Sequence, residues 1–268
     1  MSDLRPLGIF DSGLGGLTVV REIIKFMPSE SIVYFGDTGR VPYGTRSEDT
    51  IVKYARQDEK FLLDKGAKAV VAACGTVSSV AAFTGEELPV PFFEVVSCAA
   101  TAAVQNTKNG KIGVLGTPAT IRSTAHKEKI SKINPDIQVA VSPCPLFVPL
   151  VENGWTSEYD PLVKETARRY LLPLIQANVD TVILGCTHYP VLSNVISAVM
   201  GEGVTLINPG IAVAQSVKDY LTEHNMCANN ENPTRNYFVS DCTADFERQA
   251  SVLLATDKII AEQVELNA

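Results

Sequence analysis

The sequence lacks any long apolar run. None approaches the roughly 18 residues that a membrane-spanning helix needs, so no membrane span is expected. The opening residues, MSDLRPLGIFDSG, hold neither the apolar stretch of a secretory signal nor a small-residue cleavage site. A cytoplasmic location is the expectation. Basic residues are also scarce. The 23 Lys and Arg stand against 30 Asp and Glu, giving a net charge of −7 over 268 residues. Nucleic-acid binding needs clustered cations to neutralise phosphates, so no nucleic-acid partner is expected. A small anionic ligand stays possible, because a few backbone N–H groups can hold one locally.

Close metal-ligand pairs are missing too. The cysteines fall at 74, 98, 144, 186, 227 and 242 with no C-x-x-C, and the histidines at 126, 188 and 224 form no H-x-x-x-H. No metal site is expected from such spacing, and in a reducing compartment the six thiols should be free. Phosphate-binding loops are absent as well. DSGLGG (Asp11–Gly16) resembles a dinucleotide loop, but after Gly13 and Gly15 the last glycine position is Thr18, and no G-K-[ST] follows. No lysine lies in a recognisable pyridoxal-phosphate motif. No cofactor is therefore expected.

Short apolar runs alternating with amphipathic segments are present. Leu7–Phe10, Ile32–Phe35, Ala69–Ala73 and part of Pro89–Val96 read as strands. Leu17–Phe26 reads as a helix ended by Pro28. Ser47 to Lys65 reads as another, capped by Ser47, with Ile51, Tyr54, Phe61 and Lys65 marking one face. Strands apolar on both faces, alternating with helices, predict a mainly parallel α/β sheet. The pattern then restarts. KIGVLGTPATIRS matches LGIFDSGLGGLTVV in shape, and TVILGCTHYPVL matches AVVAACGTVSSV. Asp11 and Cys74 are 63 residues apart, and Thr117 and Cys186 are 69 apart. Two similar α/β domains are predicted, 1–97 plus 209–268 and 98–208, with the active site in the cleft between them. The tail, with a helix at Ile211–Leu221, a strand at Tyr237–Ser240 and a last helix, should pack back on the first half.

A free cysteine is usually a packing residue, and Cys74 or Cys186 alone reads that way. As a pair they read differently. Each ends a β-branched run, each is followed closely by Thr, and each half places its cysteine alike. Helix N-termini behind the sulfurs would lower a thiol pKa and favour an anion. Cys98, Cys144, Cys227 and Cys242 lack this context and read as packing. Asp11 and Ser12 sit at a strand's carboxyl end, where open α/β sheets place ligands; a plain tight turn is the other reading. His188, two residues after Cys186, is either a loop histidine or a proton partner. Glu152 alone reads as a surface residue. DTGRVPYG (Asp37–Gly44) reads as a connecting loop with Tyr43 turned outward.

Two opposed acid/bases suit racemisation, in which one thiolate removes a proton from a carbon and the other thiol returns one to the opposite face. Here the sequence resembles the glutamate racemases, cofactor-independent members of the aspartate/glutamate racemase superfamily. The resemblance spans about Leu7 to Leu221 and is carried by GIFDSGLGGLTV, YFGDTGRVPYG, AACGTVSS, CPLFVPLVENG and VILGCTHYPVL. It implies two α/β domains and interconversion of L- and D-glutamate, supplying D-glutamate for peptidoglycan. It implies Cys74 and Cys186 as the acid/bases, assisted by Asp11 and His188, with Glu152 on the His188 side. It implies that Ser12, Tyr43, Gly44, Thr76 and Thr187 hold the polar ends of the amino acid, together with Asp11, His188 and the backbone at Gly75. It also implies a homodimer.

One departure stands out. The family usually reads Cys-Asn-Thr where this chain has Cys74-Gly75-Thr76, so an amide that would hydrogen-bond substrate is missing. Three rival readings remain: an aspartate racemase, a one-thiol isomerase or lyase of the same fold, and a non-catalytic amino-acid-binding protein. Aspartate racemases usually carry Cys-Thr-Glu at Cys186-Thr187-His188, so His188 favours glutamate.

Overall fold

The computed structural model describes residues 2–242, 246–254 and 259–266. Its contacts divide the chain into two compact units, Met1–Val95 with Gly210–Ala268, and Val96–Pro209.

In the first unit the strands are β1 (Leu7–Asp11), β2 (Ile32–Gly36), β3 (Ala69–Ala72) and β4 (Phe92–Glu94). The second unit carries β5 (Lys111–Gly116), β6 (Gln138–Pro143), β7 (Thr181–Leu184) and β8 (Thr205–Ile207). The tail returns to the first sheet with β9 (Arg235–Val239) and β10 (Ala261–Gln263). The two sheets run β10-β9-β2-β1-β3-β4 and β6-β5-β7-β8, and the strand pairs are parallel. The order second-first-third-fourth thus appears in both units.

That order has a consequence for function. The chain leaves β1 toward β2 on one side and later returns to β3 on the other. The crevice at the carboxyl ends of β1 and β3 is therefore a switch point, where open α/β sheets bind ligands. The carboxyl ends of β5 and β7 form the equivalent crevice in the second unit.

Helices cover both faces, which is why the strands are apolar throughout. In the first unit Phe10, Phe35, Leu62, Val70 and Val77 share one core. In the second, Leu115, Phe147, Leu171, Leu184 and Tyr189 pack on one side, and Ile112, Val114, Ile130 and Ile183 on the other. Helix α1 (Leu17–Phe26) follows β1. Helix α2 (Glu48–Asp64) begins at Ser47, whose hydroxyl accepts from Thr50 N–H. A buried ion pair closes the first sheet's far end. Lys68 Nζ lies 2.7 Å from Glu30 Oε2 and also donates to the carbonyls of Asp3 and Met226.

Three expectations need correction. The buried stripe of α2 is Ile51, Ala55, Asp58, Glu59 and Leu62. Tyr54 and Phe61 are half-buried and Lys65 is exposed. A helix buries the positions its packing selects, and here two carboxyl groups with internal partners belong to that face. The tail adds a strand, β10, that its sequence does not announce. Among the cysteines expected to pack, Cys144 is buried, but Cys227 and Cys242 are exposed.

Candidate active site

The first crevice begins with Asp11, the last residue of β1, in register with Gly36 of β2. Asp11 is buried, and its Oδ1 accepts Gly13 N–H at 3.0 Å, which tightens the turn after the strand. Tyr34 Oη donates to Gly13 carbonyl at 2.7 Å and holds that turn from below. A Cβ on Gly16 would lie 2.5 Å from Asp11 Cβ, so only glycine lets α1 start so close to the carboxylate. Gly16 of DSGLGG is thus explained by close packing against Asp11, while a Cβ on Gly13 would meet Val41 at 3.1 Å.

Phe10 pairs with Ala72 at the end of β3, and Cys74 comes two residues later. Helix α3 (Gly75–Val80) starts at once, with Cys74 as its cap residue. Gly75 and the buried Thr76 form the first turn of α3, where N–H groups have no partner inside the helix. Cys74 Sγ donates to Ser12 Oγ at 3.3 Å. Burial and the neighbouring Asp11 carboxylate push the thiol up to about 11. The Ser12 hydroxyl and the N–H groups of Val77 and Ser12 pull the other way and lose. This overturns the expected lowering by the helix end. A thiol inside a core, beside a carboxylate, resists ionising more than one helical turn can offset.

Tyr43 and Gly44 open a short 3-10 turn, Tyr43–Thr45, and Tyr43 shares the buried core with Cys74 and Val77. Tyr43 is not turned outward. It is 1% exposed, and its phenol reaches two carboxylates, Asp37 Oδ2 and Asp58 Oδ2, the second at 3.1 Å. The inward phenol leaves the turn's backbone as the part available to a ligand. Tyr43 and Gly44 N–H take no acceptor within such a turn, nor from elsewhere among the described residues.

The second crevice repeats the plan. Leu115 of β5 pairs with Leu184 at the end of β7, and Cys186 again comes two residues later. A Cβ on Gly185 would lie 2.5 Å from Leu115 carbonyl, so the sharp exit from β7 needs glycine. Thr187 follows, half-buried. His188 then caps the 3-10 turn Tyr189–Leu192. Its Nδ1 lies 3.8 Å from Cys186 Sγ and its Nε2 3.3 Å from Glu152 Oε1. Glu152 ends the helix Phe147–Glu152 and is itself exposed. Burial disfavours a charged imidazole, but the Cys186 and Glu152 contacts outweigh it and raise His188 to about 10. The imidazole is therefore cationic at neutral pH.

The structure thus groups Asp11, Ser12, Cys74, Gly75 and Thr76 in one crevice, with the Tyr43–Gly44 turn packed on α3 beside them. It groups Glu152, Cys186 and His188 in the other, with Thr187 between the last two. Sequence reasoning missed Asp37, Arg40 and Asp58 behind Tyr43. The available signal is Asp58, a carboxylate in phase with Ile51, Ala55 and Leu62. Among the described residues no three His, Cys, Asp or Glu side chains cluster as a metal site, and no helix is long and apolar enough to cross a membrane.

The model of the family described as Asp/Glu/hydantoin racemase matches residues 18–217. The chain is 42% identical over 266 residues to a glutamate racemase of Geobacter metallireducens, covering 98% of each. It is 42% identical over 252 residues to one of a Thermoanaerobacter species, covering 94% of each. Among solved structures, glutamate racemase from Francisella tularensis in complex with D-glutamate matches with a TM-score of 0.91 and 37% identity, covering 99% of both chains.

Proposed function

The chain belongs to the Asp/Glu/hydantoin racemase family, and on that premise we propose that it is a glutamate racemase that moves protons between two cysteines. One observation carries the reading. Two like sheets each present a cysteine two residues beyond the same register position of the third strand, at a switch point, beside a group able to serve proton transfer.

In the reaction the Cα–H bond of glutamate breaks and an S–H bond forms on the accepting sulfur. The electron pair remains on Cα and spreads into the carboxylate. The other thiol then gives its proton to the opposite face of Cα, leaving a thiolate. One thiol and one thiolate have exchanged roles, so the reverse reaction starts from the finished state. No oxidant or reductant is consumed. The difficulty is the weak acidity of the α-hydrogen, and N–H donors aimed at the substrate carboxylate lower that barrier by stabilising developing charge. The N–H groups of Tyr43, Gly44, Gly75 and Thr76 are assigned this role, with Ser12 and Thr187 holding the remaining polar atoms.

Asp11 and Ser12 manage the proton on Cys74. A thiol pushed up to about 11 is protonated at neutral pH, so Cys74 enters the cycle as an acid. His188 serves Cys186 as a proton source, and Glu152 holds its ring and charge. D-glutamate made in this way would supply peptidoglycan. The reading includes a cytoplasmic location, in keeping with six free thiols. It also includes a homodimer, which light scattering of the purified protein tests.

The test of function is D-glutamate formation from L-glutamate by purified protein with no added cofactor, followed by chiral chromatography. Turnover of L-aspartate far above that of L-glutamate would replace this reading with an aspartate racemase. Amino-acid binding without turnover would make the protein a binding module.

A further inference from the structure

Behind the Tyr43–Gly44 turn lies a buried polar cluster. Asp37, just past β2, and Asp58, in α2, both have fully buried side chains. Asp37 Oδ1 accepts from Ser240 Oγ at 2.7 Å, and Asp37 Oδ2 takes Arg40 Nε and the Tyr43 phenol. Asp58 Oδ1 takes Arg40 Nη2 at 3.2 Å, and Asp58 Oδ2 lies 3.1 Å from Tyr43 Oη. Arg40 also donates to Gln57 Oε1 and lies 4.0 Å above the Tyr54 ring.

Counting protons exposes a shortage. Two carboxylates face a single guanidinium. A phenol has one hydrogen, yet Tyr43 Oη contacts two carboxyl oxygens. It can donate to only one of them, so the other contact needs a hydrogen of its own. Asp37 already receives three donors, as a carboxylate can. Asp58 receives one, and that at 3.2 Å, so the missing proton belongs on Asp58 Oδ2.

We propose that Asp58 is a positioning residue for the substrate-binding turn: as a neutral carboxylic acid it donates to Tyr43 Oη, Tyr43 donates to Asp37, and this chain of hydrogen bonds aims the Tyr43 and Gly44 N–H groups at the ligand. The proposal rests on the reading above that this turn meets the substrate.

The electrostatics agree. Burial and the nearby Asp37 hold the Asp58 carboxyl well above the usual range, with Arg40 pulling the other way. The charged or titratable groups facing it are Asp37, Arg40, Tyr43 and, on its own helix, Glu59. Of the other segments packed on α2, α3 and Ala82–Gly85 carry no ionisable group. Strands β1 and β2 bring Asp11 and Tyr34, both engaged with Gly13.

The experiment compares wild type, Asp58→Asn and Asp58→Ala by glutamate kinetics across pH and by infrared spectroscopy. Asn keeps a neutral donor and should leave KM within about twofold of wild type, while Ala removes the hydrogen bond and should raise KM about tenfold. The wild-type KM should rise at alkaline pH as Asp58 ionises, and Asp58→Asn should abolish that rise. The wild-type minus Asp58→Asn difference spectrum at neutral pH should show a protonated-carboxyl stretch; the band of Glu59, whose carboxyl is raised to about 7, is common to both and cancels. Absence of that band, or Asn as damaging as Ala, overturns the proposal. Asp58→Asn decides it even if Asp58→Ala does not fold. A band that vanishes with Asn beside an unchanged KM in Ala overturns the positioning role. If the wild type does not racemise glutamate, the functional reading fails separately and the infrared band still decides the proton.

Discussion

His188 Nδ1 lies 3.8 Å from Cys186 Sγ, and the same ring reaches Glu152 through its other nitrogen. Cys74 instead donates to the Ser12 hydroxyl, with the Asp11 carboxylate nearby. The two thiols are alike in position and unlike in surroundings. Their proton chemistry should therefore be separable.

The first prediction concerns pH. His188 is raised to about 10, so its cationic form is present through the neutral range and is lost as pH rises through about 10. The kcat profile should fall on that alkaline limb. Glu152→Gln removes one support of the cation and should move the limb to lower pH. His188→Asn should remove the limb and lower kcat about a hundredfold, the lower end of what a positioned acid contributes. A limb unmoved by Glu152→Gln would contradict the assignment.

Affinity should respond at the first turn of α3. Gly75→Asn places an amide where the racemases that this chain resembles usually carry one. KM for glutamate should fall, by up to about tenfold for one added hydrogen bond, with kcat retained. An unchanged KM would show that the backbone at Gly75 and Thr76 already suffices.

The buried Lys68–Glu30 pair should matter for folding. Lys68→Met leaves Glu30 buried without its counter-charge and should cost about 3–5 kcal/mol in denaturant unfolding. Replacing both residues by apolar ones should cost less than Lys68→Met alone, because no uncompensated charge remains. A single substitution within experimental error of wild type would contradict the assigned role.

Glu59 gives a pH-dependent stability. Burial raises its carboxyl to about 7, although Thr84 Oγ1 donates to it at 2.5 Å. Its folded pKa lies above its unfolded one, so the protonated form is favoured in the fold. That contribution is complete below the unfolded pKa and is lost as pH rises through about 7. Glu59→Gln cannot ionise and keeps an oxygen for Thr84. Its Tm should exceed that of wild type at pH about 8–9, a difference that shrinks toward pH about 5. Equal Tm differences at both pH values would contradict this.

Much of this architecture is legible in the sequence, for a physical reason. Strands buried on both faces need continuous apolar runs, so AVVA and TVIL stand out, and the residue just past each run is placed at a strand end. That is how Cys74 and Cys186 come to be noticed. Tyr43 is not legible in the same way. Its inward turn depends on Asp37, six residues away, and Asp58, fifteen residues away, and on which face α2 buries. Reading that face through Tyr54 and Phe61 hides Asp58. The Cys74 thiol is misjudged for a related reason. A helix start is visible in sequence, whereas depth of burial and distance to Asp11 are not. Strand β10 has only three residues at a sheet edge, too few for a pattern.

The two-thiol cycle is tested most directly in heavy water. Wild-type protein converting L-glutamate should place deuterium at the α-carbon of the product. Cys74→Ala and Cys186→Ala should each lose racemisation by about a thousandfold or more, since each removes the proton carrier for one face. Full racemisation surviving either substitution, or D-glutamate formed without α-deuterium, would contradict the account.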